Sequence, residues 1–184
     1  MADRSEATVF LDGSGYEGAI GVVAVLYRGS IEKKTTKIFM GSEDRHMVFK
    51  AELLGLSLAA ELIKDKRQIW TLTLGVDSQA VLRAIRNRRA IPGQYLVESF
   101  HEQIDAVQRK HPGITLRWTP GHVGITGNKQ ADGEAKWAAK GESSEQRSFP
   151  PGVQRRSANQ QFSSSPVPQE ADQCQDKKVV QELT

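Results

Sequence analysis

The sequence predicts an α/β domain: a mixed five-stranded sheet, an antiparallel meander plus two parallel strands, with helices on both faces in the order βββαβααβα. Three observations carry this. Residues 7–40 hold three apolar or alternating runs joined by short links, the pattern of a meander. From residue 46 the period changes to three or four residues, the spacing of one helical face. The later apolar runs, 70–76 and 114–118, are separated by helical stretches, so crossovers can lay them parallel to the first strand.

Each element follows from its own residues. Ala7-Thr-Val-Phe-Leu11 is a short apolar strand that runs into Asp-Gly-Ser-Gly. Residues 19–27 form the second strand and 31–40 the third, with Gly29-Ser30 as the turn. Over 46–64, Ala51, Leu54, Leu58 and Leu62 make a helical stripe. Trp70 to Val76 returns to strand. Ser78 to Asn87 is a second helix, with Ser78 suited to the N-cap and Pro92-Gly93 as the break. Tyr95 to Lys110 is a third helix, ended by Pro112-Gly113, and Ile114 to Trp118 is the fifth strand. Residues 120–128 hold three glycines and a proline and read as a loop. A last helix spans 128–140, and Gly141 stops it.

Composition divides the chain. Of 184 residues, 38% are hydrophobic, 7% aromatic and 26% charged. The apolar residues concentrate in residues 1–140, while 141–184 are mostly Ser, Gln, Glu, Pro and Arg. The expectation is a core-forming domain over 1–140 and a disordered polar tail over 141–184. The first part carries 20 Lys+Arg against 16 Asp+Glu and the second 5 against 6, for the net +3 of the whole. A moderately basic domain is compatible with nucleic acid. No apolar run approaches the ~18 residues of a membrane span, and the polar N-terminus is no secretory signal. The one cysteine, Cys174, allows neither an internal disulfide nor a cysteine zinc site. An intracellular protein, cytoplasmic or nuclear and not secreted, is expected.

Four acids stand in apolar or small surroundings, where an unpaired carboxylate is costly. Asp12 follows Val-Phe-Leu, Glu52 lies between Ala51 and Leu53, Asp77 follows Leu-Thr-Leu-Gly-Val, and Asp132 comes after the glycine loop. Ordinary readings exist: Asp77 as a helix cap, Glu52 as an exposed helix residue, Asp132 as a partner of a helix dipole. If the first and fourth strands are parallel neighbours, however, Asp12 and Asp77 share one sheet edge, and the helices bearing Glu52 and Asp132 can flank it. Carboxylates so gathered repel one another unless a cation joins them. Hard oxygen donors without cysteine favour Mg²⁺ or Mn²⁺ over Zn²⁺. Four are enough to hold two such ions about 4 Å apart, the arrangement of phosphodiester cleavage.

The blocks Phe10-Leu-Asp-Gly-Ser-Gly15, Lys50-Ala-Glu-Leu53, Val76-Asp-Ser-Gln-Ala80 and Trp118-Thr-Pro-Gly-His-Val-Gly-Ile-Thr-Gly-Asn-Lys-Gln-Ala-Asp132 resemble, in order, those of ribonuclease H type 1. The flavour is closest to the ribonuclease H domain of fungal non-LTR retrotransposon reverse transcriptases. The resemblance covers roughly residues 6–140 and implies the ribonuclease H-like fold. It implies an endonuclease that hydrolyses the RNA strand of RNA–DNA hybrids, leaving 5′-phosphate and 3′-hydroxyl ends, with two Mg²⁺ ions (or Mn²⁺) as cofactors. Asp12 would bridge both ions, Asp132 would help hold the one that activates water, and Glu52 and Asp77 the one at the departing 3′-oxygen. His122 would assist proton transfer or product release. Gly13 and Ser14 would meet the substrate, Gln79 would read the minor groove, and Asn128 would order its loop.

The chain departs from the family at two points. Val48-Phe49 replaces an asparagine pair found in some cellular members, and a long basic handle shrinks to Arg88-Arg-Ala-Ile-Pro-Gly-Gln94. Arg83, Arg86, Arg88 and Arg89 offer a smaller grip on DNA phosphates, or simply a solvated helix face. His46, His101 and His111 read as surface residues. The expected partners are the hybrid and, in a parent element, a reverse transcriptase; no membrane is involved, and the domain is expected to be a monomer. Starting at Met1, it reads as a free-standing domain, a gene fragment or a domesticated copy. The alternative is a catalytically weak or inactive hybrid-binding module derived from a retroelement. An exonuclease or integrase-type site is disfavoured, because it lacks the Gly-His-Val-Gly loop before the last acid.

Overall fold

Val and Ile cluster where the backbone pairs, and Ala and Leu where it coils. The computed structural model describes residues 5–66, 69–87, 91–121, 124–150 and 153. Strands β1 (Ser5–Tyr16), β2 (Ala19–Arg28) and β3 (Ile31–Ser42) are followed by α1 (Val48–Ile63), β4 (Ile69–Val76), α2 (Gln79–Asn87), α3 (Gln94–Gln108), β5 (Gly113–Trp118) and α4 (Thr126–Ala139). The sheet order is β3-β2-β1-β4-β5. Pairing is antiparallel among the first three strands and parallel for β1–β4 and β4–β5. The mixed sheet and the order of elements are those expected.

Alternation along β2 divides the core between the two faces. Val22, Ala24 and Leu26 join the main core with α1, α2 and α3. Val23, Val25 and Tyr27 pack with Phe10 against Ala131 and Ala135 of α4 on the opposite face. Helix α1 lies between the sheet and α3, so it is buried almost all round, well beyond the single expected stripe. Among the described residues no helix is long and apolar enough to cross a membrane.

Three local expectations are corrected. The first strand runs on beyond the expected residues 7–11, through Asp-Gly-Ser-Gly to Tyr16, which pairs with Ala19, so Asp12, expected inside or at the end of the strand, lies inside it. The hairpin turns instead at Glu17 and Gly18, with φ of 50° and 77°, the two successive positive values of a tight two-residue hairpin turn. His46 and His111 are not on the surface; each is 3% exposed. His111 Nδ1 lies 3.2 Å from the Ile69 carbonyl oxygen, and His46 packs beside Gly41. Enclosure by neighbouring elements decides their burial, which residue type alone does not carry.

The polar segment expected to begin at residue 141 continues the folded unit. Ser144 N–H donates to Lys37 O at 2.8 Å, and Lys37 N–H donates to Ser144 Oγ at 3.0 Å. Phe39 N–H donates to Ser143 Oγ at 2.8 Å, and Lys37 Nζ reaches Glu142 at 2.8 Å. Unpaired groups at the open edge of β3 are thereby satisfied, and exposed edges invite foreign pairing. The chain then returns Phe149 and Val153 to the main core. The rest of the expected tail, 151–152 and 154–184, lies outside the described residues. Truncation after Lys140 is expected to lower Tm by several degrees relative to truncation after Arg155, because a buried Phe alone is worth roughly 3–5 kcal/mol. Thermal melts of the two proteins check this.

Candidate active site

The parallel pairing of β1 with β4 registers Phe10 against Gly75. Asp12 and Asp77 lie two residues beyond that pair, at the same end of the sheet. Glu52 comes from the second turn of α1, and close approach of the backbones brings it there. A Cβ at Gly13 would lie 2.5 Å from Glu52 N and 2.7 Å from the Ala51 carbonyl carbon, so only glycine lets α1 sit this close to β1. Gly13 is buried under α1 and does not line the cleft. Asp132 comes from α4, which begins at Thr126. The acid is therefore in the second turn, and the helix-dipole reading of it loses its basis, since that field fades within the first turn.

The four carboxylates line one cleft of about 610 Å³ together with Ser14, Gly121, Gly124, Ile125, Asn128 and Lys129. Burial pushes the Asp12 carboxyl up to about 7, helped by the charges of Asp77, Asp132 and Glu52 and opposed by a hydrogen bond from the Gly13 backbone. Glu52 is also pushed up, by burial first and Asp77 next, while the Ser78 hydroxyl opposes the shift by hydrogen bonding. Ser78 also caps α2, accepting from Val81 N–H at 3.4 Å, as its sequence position implied. Asn128 Nδ2 donates to Asp77 Oδ2 at 3.4 Å, so it ties the start of α4 to the end of β4. Trp118 Nε1 donates to the Asp77 carbonyl at 3.2 Å.

This donor set fits hard divalent cations. All four side chains offer oxygen, and the mutual repulsion that adds to the effect of burial on Asp12 is what a cation between them would reverse. Among the described residues no group of three or more His, Cys, Asp or Glu side chains is placed closely enough to hold a metal ion as the side chains stand. The acids share the cleft without closing into a cage.

Asp12 makes the metal-free fold pH-dependent. Its carboxyl is raised from 3.8 to about 7, so between those values the folded state binds more protons than the unfolded one. Stability is therefore expected to fall as pH rises from about 4 to about 7, by roughly 2–4 kcal/mol if Asp12 dominates. Melts in chelator at pH 5 and 8 should show the lower Tm at pH 8. Added Mg²⁺ should recover it there and do little at pH 5.

Of the other expected site residues, Gln79 and Arg83 stand on the exposed side of α2, outside the cleft lining, with Arg83 Nη2 donating to Gln79 Oε1 at 3.4 Å. Arg86 is exposed one turn on. His122, Arg88 and Arg89 lie outside the described residues. Two lysines escaped the sequence reading. Lys129 lines the cleft, and Lys136 Nζ bonds Asp132 Oδ2 at 2.8 Å. Their spacing of three before and four after Asp132 puts all three on one helical face, a signal that was available.

A family model described as RNase H matches residues 4–140. No curated protein matches the sequence. Among solved structures, RNase H1 from the halophilic archaeon Halobacterium salinarum NRC-1 is similar at 18% identity and a TM-score of 0.57, over 74% of this chain and 99% of that one. LC11-RNase H1 in complex with an RNA/DNA hybrid is similar at 16% identity and a TM-score of 0.58, over 74% and 98%. The foamy viral protease-reverse transcriptase, also in complex with an RNA/DNA hybrid, is similar at 14% identity and a TM-score of 0.56, over 76% of this chain and 20% of that one. At these identities the likeness is one of fold.

Proposed function

The chain belongs to the RNase H family, and from that premise we propose that it cleaves the RNA strand of RNA–DNA hybrids with two divalent cations, leaving 5′-phosphate and 3′-hydroxyl ends. The observation that carries the reading is the meeting of Asp12, Glu52, Asp77 and Asp132 in one cleft. Asp12, most affected by the other three, would touch both cations. Asp132 would hold one of them, and Glu52 and Asp77 the other. Once bound, the cations supply activation of the attacking water and stabilisation of the departing 3′-oxygen.

The chain's own groups do the rest. Asn128 orients the Asp77 carboxylate through its amide. Ser78 steadies Glu52 in its ionised form. Ser14, on the cleft wall, presents a hydroxyl to the strand being cut, where the 2′-hydroxyl distinguishes RNA from DNA. Gln79, just past the Asp77–Ser78 pair, would read the minor groove, with Arg83, Arg86, Arg88 and Arg89 on the DNA phosphates. His122 would assist proton transfer or product release. Mg²⁺ is the expected physiological ion and Mn²⁺ a substitute. A retroelement parent is supported by the retrotransposon-like sequence blocks.

The test is incubation with a hybrid labelled on either strand, beside duplex DNA. In Mg²⁺ only the RNA strand should be cut, and its products should carry 5′-phosphates. Excess chelator should stop the reaction completely, and Mg²⁺ or Mn²⁺ should restore it. Binding of the hybrid with no cutting in either metal would instead assign a non-catalytic hybrid-binding module.

A further inference from the structure

Beyond the cleft, α4 carries a line of cations. Lys129, Lys136 and Lys140 fall at i, i+7 and i+11, one face of a helix, with Asp132 between the first two. Lys129 lines the cleft, and Lys136 bonds Asp132. Lys140 Nζ stands 4.8 Å from the centroid of the Tyr16 ring and 5.1 Å from that of Trp137. Trp137 is 54% exposed. The nearby acids Glu134 and Glu142 are both engaged by Lys37, at 3.0 and 2.8 Å, and Asp132, which pairs Lys136, is a carboxylate that cations in the cleft would draw away.

We propose that this face of α4 is a track for nucleic acid: the RNA strand, where it continues unpaired out of the cleft, lays its phosphates along Lys129, Lys136 and Lys140 and stacks a base on Trp137. The inference rests on the reading of the cleft as a hybrid-cutting site. Continuity favours this occupant, since the lysines begin at the cleft wall and the aromatic pair stands at the far end. Chemistry favours it too. A cationic path that ends on an exposed indole is the combination that holds single strands, with charge following the backbone and a ring accepting any base. Eleven residues at 1.5 Å each make the track about 16 Å long, or about four to five stacked nucleotides. It would add to the grip on the substrate assigned to Arg83, Arg86, Arg88 and Arg89.

The experiment compares a blunt hybrid with the same hybrid bearing about six unpaired ribonucleotides, slightly more than the track spans. KM for cleavage is measured in Mg²⁺, and Kd by fluorescence anisotropy in chelator. The RNA extension should lower both by roughly fivefold or more, the weak end of base stacking on an aromatic side chain. Trp137→Ala with Lys140→Gln should erase that gain, while Trp137→Phe, which keeps an aromatic face, should retain most of it. Equal values for the two substrates with the parent protein would overturn the track. So would a gain that survives the double substitution, or an equal gain from a deoxyribonucleotide extension on the other strand. Tighter binding of the extended hybrid without cleavage of either substrate would support the track while refuting the hydrolysis reading.

Discussion

Asp12→Asn is expected to abolish hybrid cleavage, by on the order of 10³-fold or more in kcat, about 4 kcal/mol of lost transition-state stabilisation. The carboxylate it removes is the one affected by all three other acids and the one assigned to both cations. Asparagine keeps the shape and one oxygen but loses the charge that a divalent ion requires. The variant should not unfold. In chelator at pH 8 it should melt above the parent, because the buried charge that opposes folding there has gone. Steady-state cleavage and a thermal melt on one preparation separate these effects. A variant that loses activity and also melts lower in chelator at pH 8 would show that Asp12 is a structural carboxylate, and the assignment would fall.

Gly13→Ala is the second large effect. The added methyl would strike the backbone of α1 at Glu52 and Ala51, and backbone cannot swing away as a side chain does. Overpacking of this kind costs roughly 1–3 kcal/mol. The larger consequence is for activity, since a displaced α1 carries Glu52 away from Asp12. A loss of about 10²-fold in kcat is expected, the scale of a 1 Å misplacement at a reacting centre. Gly133→Ala is the control. Its added Cβ meets nothing within 4 Å, and alanine in mid-helix should stabilise by about 0.5–1 kcal/mol. Activity that survives Gly13→Ala intact would show that α1 can yield without moving Glu52.

Element types were legible because they are local. The change of period at residue 46, the apolar runs at 70–76 and 114–118, and the helix stop at Gly141 are each written in neighbouring residues. The four acids were legible for a similar reason: each is a charge set among apolar or small residues, and the blocks around them resemble one family. By itself, then, the sequence determined the order of elements, the mixed sheet and which carboxylates to follow.

What it left to the tertiary structure depends on who meets whom. Whether Asp-Gly-Ser-Gly is turn or strand rests on β2 lying alongside it, and the pairing of Tyr16 with Ala19 moves the turn to Glu17-Gly18. His46 and His111 are polar by type and buried by enclosure. The segment after Lys140 has the composition of a tail, yet its serines find unpaired groups on the β3 edge and its Phe149 and Val153 find the core. Lys129 and Lys136 look like ordinary surface lysines until α4 sets them on either side of Asp132. Burial and electrostatic neighbourhood are properties of contacts between residues far apart in the chain, and only the folded arrangement decides them.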